Sequence, residues 1–141
     1  MSASALAASQ TVLVIDDDFD IRNVLSDVLG EAGFHVIAAA DGLEALKLLR
    51  TRPLPGLILL DVRMPQMDGA AFRAEQSKDP ALAKIPVVLL TADGKAESRH
   101  PDLGAVAMLT KPVKIDDLVD TVSRHCGRPP NADAAQTNPP A

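Results

Sequence analysis

Four short apolar runs in this chain each end in a polar residue able to do chemistry. Residues 12–15 lead into Asp16, Asp17 and Asp18, residues 57–60 into Asp61, residues 87–90 into Thr91, and a fourth run into Lys111 and Pro112. The runs are continuous rather than alternating, which is the pattern of parallel strands covered on both faces. Strands are expected at about 11–16, 34–39, 56–61, 85–91 and 105–109. Between them lie helical patterns. Ile21, Val24, Leu25, Val28, Leu29 and Ala32 fall on one helical face, and Gly33 follows as a stop signal. A second helix is read over 42–51 with Leu43, Leu46 and Leu49 facing inward and Pro53 beyond its end. A third follows Asp68 and Gly69, and the last is read from Ile115, Leu118, Val119 and Val122. Strands alternating with helices predict a doubly wound α/β sheet with right-handed crossovers. In such sheets ligands bind beyond the carboxyl ends of the strands, which is where the polar residues fall.

The 141 residues suffice for one domain with a single substantial core. We expect a flexible N-terminus over 1–10, a folded domain over 11–126 and a disordered, Pro-rich tail over 127–141. No apolar run approaches the roughly 18 residues of a membrane span, and residues 1–10 lack the pattern of a signal peptide. A lone cysteine, Cys126, excludes an internal disulfide and fits a reducing cytoplasm. The net charge of −5, from 14 basic and 19 acidic residues, gives no support to nucleic-acid binding. Trp and Tyr are absent and Phe occurs three times, so surfaces for stacking bases are lacking too.

Asp16, Asp17 and Asp61 would share the carboxyl edge of such a sheet. Three carboxylates in one pocket need a counter-charge, since each pair at about 5 Å and an effective dielectric of about 20 repels by roughly 3 kcal/mol. A hard cation with oxygen ligands resolves this, and Mg²⁺ suits few carboxylates plus phosphate and water. Lys111 would add a second positive charge. The plainer reading is that residues 16–18 only cap the following helix, where carboxylates favour the N-terminal dipole. Likewise a lone Thr ending a strand is commonly a packing residue, and a lone Lys before Pro is commonly solvent-exposed. The combination is what argues against those readings, with 30 residues from Asp61 to Thr91 and 20 more to Lys111.

This constellation resembles the site of a response-regulator receiver domain, the phosphoacceptor module of two-component systems. The resemblance implies a flavodoxin-like (βα)5 fold, a five-stranded parallel sheet of order 2-1-3-4-5, with the site between strands 1 and 3. It implies Asp61 as the phosphoacceptor, taking a phosphoryl group from a histidine kinase or a histidine phosphotransfer protein. Asp17 would bind Mg²⁺ directly, Asp16 mainly through water, Asp61 would also be a metal ligand, and the Arg63 backbone carbonyl would complete the metal shell. Lys111 would pair with Asp61 and later with a phosphoryl oxygen, Thr91 would turn its hydroxyl to that group, and small Ala92 would leave room for it. The Lys111–Pro112 bond is usually cis in this family. Self-catalysed phosphotransfer and autodephosphorylation would be its only catalysis, so the chain is expected to signal rather than to act as an enzyme.

Two positions depart from the family pattern. Met108 stands where an aromatic residue usually acts as the switch, and Val113 stands where Phe commonly follows Lys-Pro. The segment 93–103 is short, with little apolar periodicity and with Pro101, so the helix expected there should be short, irregular or mobile. The expected role is that of a stand-alone cytoplasmic regulator, acting through phosphorylation-dependent contacts with a downstream protein or as a phosphate sink, with no nucleic acid and no membrane insertion. Two other classes compete. One is a phosphorylation-independent interaction or dimerisation module on the same fold. The other is a haloacid-dehalogenase-type phosphatase, suggested by Asp16-x-Asp18 but needing a longer chain and a later acidic pair, whereas Asp116 and Asp117 fall on a predicted helix. His35, His100 and His125 are scattered and suggest neither a zinc site nor a phosphohistidine module.

Overall fold

A computed structural model describes residues 11–51, 53–62, 69–92 and 105–126. Its strands are β1 (Thr11–Ile15), β2 (His35–Ala39), β3 (Leu57–Asp61), β4 (Val87–Thr91) and β5 (Ala107–Thr110). Its helices are α1 (Phe19–Glu31), α2 (Gly42–Thr51), α3 (Gly69–Ser77), the short α4 (Pro80–Ala83) and α5 (Ile115–His125). All strand pairs are parallel and the sheet order is β2-β1-β3-β4-β5. This is the doubly wound topology expected from the sequence.

Alternation within the central strands feeds two cores at once. Leu13, Ile15, Ile58, Leu60, Val87 and Leu89 point to one face, where Ala45, Leu46 and Leu49 of α2 and Phe72 of α3 cover them. Val12, Val14, Leu57, Leu59, Val88 and Leu90 point to the other, beneath Leu25 and Leu29 of α1 and Leu118 and Val122 of α5. Each such aliphatic side chain contributes about 1.5–3 kcal/mol by leaving water. That explains why residues 12–15, 57–60 and 87–90 are apolar without a break.

Local signals set the boundaries. Asp18 caps α1 by accepting from the Ile21 N–H, and α1 ends in a Schellman turn. There Phe34 N–H donates to Leu29 O and Gly33 N–H to Gly30 O, with Gly33 at φ +102°, a value that favours glycine. Asp41 and Glu44 close the start of α2 reciprocally: Glu44 N–H donates to Asp41 Oδ1, and Ala40 N–H to Glu44 Oε1.

Several inward-facing expectations are corrected. Val24 is 58% exposed and Ala32 is the exposed C-cap of α1, so that helix buries a narrower stripe, centred on Leu25 and Leu29. Leu43 is 52% exposed, because α2 is phased by Ala45, Leu46 and Leu49. Ile115 is 60% exposed at the start of α5. The continuous burial expected of every strand holds for β1, β3 and β4 but not for β2 and β5, which lie at the sheet edges. The strands also begin one or two residues later than expected at 34, 56, 85 and 105. Helix α4 has no counterpart in the sequence reading, although Asp79 followed by Pro80, an N-cap and a proline at the first turn, is a legible start signal. The helix expected in 93–103 lies outside the described residues.

Candidate functional site

Strand register assembles the site. Ile15 pairs with Leu60, so the next residues along, Asp16 and Asp61, stand side by side where the two strands end. Thr91 pairs with Thr110, which places Lys111 one residue beyond the edge of β5. Asp16 is fully buried, Asp61 and Thr91 nearly so, and Asp17 is exposed. Carboxylate oxygens of Asp16, Asp17 and Asp61 all lie within 4.8 Å of one another. The Lys111 Nζ lies 2.9 Å from Asp16 Oδ2 and 3.4 Å from Asp61 Oδ2. Lys111 therefore leans toward Asp16, where the sequence reading paired it with Asp61.

Backbone bonds hold the frame: Val62 N–H donates to Leu90 O, Lys111 N–H to Thr91 O, and Asp16 N–H to Ala39 O. Asp16 Oδ1 accepts from Asp18 N–H at 2.9 Å. Its Oδ2 is enclosed and, among the described residues, finds no aligned hydrogen-bond donor and has the ammonium of Lys111 as its ion-pair partner. Partial burial works to lower the Lys111 pKa, but the Asp16 and Asp61 carboxylates outweigh it and leave the ammonium above the ordinary lysine value. One lysine cannot neutralise three carboxylates. Among the described residues the pocket is net negative and holds an enclosed oxygen without a hydrogen bond, which fits a hard divalent cation.

Residues 16–18 thus divide the two readings offered for them. Asp18 is the helix cap, while Asp16 and Asp17 face Asp61. The Lys111–Pro112 bond is cis. Met108 is half-buried on β5 beside Leu89, and Ala92 is exposed just past Thr91. Asp116 and Asp117 are exposed in the first turn of α5 and offer no later acidic pair for a phosphatase pocket. The Arg63 carbonyl lies outside the described residues, as do the expected terminal segments 1–10 and 127–141. The sequence reading missed Arg22, whose guanidinium donates to the backbone oxygen of Asp16, and buried Gln76, whose amide donates to the Leu82 and Ile85 carbonyls. Neither carries a motif, because each acts on a backbone atom several residues away.

A buried acidic pocket with one lysine, at the carboxyl edge of a 2-1-3-4-5 parallel sheet, defines the class of two-component phosphoacceptor domains. The chain belongs to the response regulator receiver domain family, whose model matches residues 12–123. It is 32% identical over 119 residues to the sporulation initiation phosphotransferase F of Bacillus subtilis, covering 83% of this chain and 94% of that protein. Among solved structures it resembles the chemotaxis protein CheY4 of Vibrio cholerae, at TM-score 0.74 and 32% identity over 82% of this chain and 97% of that one. It also resembles the response regulator TrrA of Thermotoga maritima, solved in complex with Mg²⁺–BeF, at TM-score 0.72 and 30% identity over 81% and 96% of the chains. The chain is a receiver domain of two-component signalling, and neither the phosphatase nor the phosphorylation-independent module gains support. No helix among the described residues is long and apolar enough to cross a membrane.

Proposed function

We propose that Asp61 accepts a phosphoryl group from a phosphohistidine on a histidine kinase or phosphotransfer protein, within a receiver unit spanning 11–126. The observation that carries this is the placement of Asp61: almost buried at the end of β3, ion-paired to Lys111 and within 4.8 Å of two further carboxylates. A carboxylate oxygen of Asp61 attacks phosphorus, an O–P bond forms, the N–P bond to imidazole breaks, and the imidazole leaves as its nitrogen takes a proton. Asp16 and Asp17, with the Arg63 carbonyl, would hold Mg²⁺, which when bound screens the carboxylates and the transferring oxygens. Lys111 stabilises the charge gathered on the phosphoryl oxygens, being cationic throughout the neutral range. Thr91, one strand over, supplies a hydroxyl toward the same edge.

The product carries a near-dianionic group where a single carboxylate stood. Lys111 must then divide itself between Asp16 and the phosphoryl group, and the β5–α5 junction that carries it feels the change. Met108, on the same strand, repacks through rotamers of a flexible thioether rather than by swinging a rigid ring. Output is through contacts with a downstream protein.

The test is intact mass after incubation with Mg²⁺ and acetyl phosphate. Wild type should gain one phosphoryl group and Asp61→Ala none, with Asp61→Ala melting no lower than wild type because one repelling carboxylate is gone. Phosphorylation retained in Asp61→Ala would overturn the assignment.

A further inference from the structure

We propose that Arg22 is a positioning residue for the acidic site, fixing the turn that presents Asp16 and Asp17 to a divalent cation. The inference rests on the proposed Mg²⁺-dependent role of that site. β1 ends at Ile15, so the Asp16 carbonyl lies just beyond the sheet ladder. Arg22, in the first turns of α1, reaches back six residues and donates from Nη1 to that carbonyl oxygen at 2.7 Å. The bond is short and charge-assisted, roughly twice as strong as a neutral one.

The result is that residue 16 is hydrogen-bonded at its N–H, its carbonyl and Oδ1, leaving Oδ2 to the ion pair with Lys111. Its N–H donates to Ala39 O, its carbonyl accepts from Arg22, Oδ1 accepts from the Asp18 N–H, and Oδ2 meets Lys111. Asp18 in turn is tied to Ile21 N–H, and its own carbonyl accepts from Arg22 N–H. Asp17 sits between two tied residues while its own carboxylate makes no hydrogen bond to the described residues. Its orientation is therefore set by the backbone on either side, and one side is held by Arg22. The guanidinium is itself steadied by Phe19, whose ring centroid is 5.7 Å from Arg22 Cζ. Phe19 is 64% exposed, so core packing does not account for it, whereas support of a cation does.

A guanidinium on the carboxylates would compete with a metal ion. Here it takes the carbonyl instead, and Arg22 makes no ion pair with the described carboxylates. Outer partners of this kind commonly govern metal affinity by 10–100-fold.

The experiment is calorimetric titration of the full chain with MgCl₂, alongside metal-free thermal melts, for wild type, Arg22→Met, Arg22→Lys and Asp17→Asn. Arg22→Met keeps the apolar stem and removes the donors, and should weaken Mg²⁺ binding about tenfold or more. Arg22→Lys keeps a donor and should recover most of that loss, even where the two variants melt alike. Equal weakening in Met and Lys variants, or wild-type affinity in Arg22→Met, would overturn the inference while leaving the site itself standing. Wild type failing to bind Mg²⁺, no better than Asp17→Asn, would remove the functional reading and this inference with it.

Discussion

The central and the edge strands of this sheet do different work. Every residue of β1, β3 and β4 is buried, Asp61 and Thr91 at the ends of β3 and β4 included, and Asp16 just beyond β1 is buried as well. β2 and β5 are only partly covered, and β5 leads to Lys111 and carries Met108, both half-exposed. The acidic groups, which must hold one geometry against their own repulsion, are built on the rigid strands. Lys111 and Met108, which the proposed phosphorylation would disturb, are built on the yielding one. Close packing resists small displacements, so under the proposed function this division would separate chemistry from readout within a single sheet.

Substitutions should expose that division. The largest stability loss is expected for Leu59→Ala in β3, about 2–5 kcal/mol, because the cavity would lie between fully covered strands and could not collapse. Urea denaturation measures it, and a loss under 1 kcal/mol would erase the contrast. Gly69→Ala should cost less. Its Cβ would stand 3.2 Å from Val62 Cα, and overpacking of about 1–3 kcal/mol outweighs a helix-propensity gain of at most about 1 kcal/mol. Because Val62 follows Asp61, the same variant should also take up phosphoryl group more slowly from acetyl phosphate. Val36→Ala on edge strand β2 should cost about 1 kcal/mol or less, read in the same denaturation series.

The smallest effect concerns pH. The folded-state pKa of Lys111 is raised, so its contribution is complete below the unfolded lysine value of about 10.4 and is lost as pH rises through the folded value. The stability difference between wild type and Lys111→Met should therefore stay flat between about pH 7 and 9 and shrink only at strongly alkaline pH. A fall already near neutrality would mean that Lys111 is not held cationic by the two carboxylates.

The sheet and the acid cluster were legible because both are written in local pattern: apolar runs, four of which lead into a polar residue. The bounds of α2, 42–51, were legible too, from Gly42 and the leucine spacing. Periodicity failed where one helical face is only partly covered. Val24 lines an open groove of about 450 Å³ between α1 and the Lys111–Val113 segment, beside Ile21 and Val113, so an inward-pointing pattern meets solvent. The smaller side chain of Val113, noted in the sequence as a departure from the family's Phe, is part of that wall. Leu43 misled because alanine carries little hydropathic weight, yet Ala45 is the residue that α2 buries completely. The lean of Lys111 toward Asp16 was not legible at all. It depends on a few tenths of an ångström between two carboxylates, which no spacing encodes.

The Cys126 thiol lies 3.8 Å from the Thr11 carbonyl, a contact spanning 115 residues of chain. The first strand and the last helix therefore begin and end beside each other, on the rim of the sheet opposite the acids. From Thr11 to Asp16 the strand rises about 16 Å at roughly 3.3 Å per residue. An affinity handle or module fused through the backbone at either of these positions, whose side chains are buried, would be anchored well away from the pocket. For the same reason, linking the two by a short loop and reopening the chain elsewhere should give a circularly permuted protein with its acidic edge undisturbed.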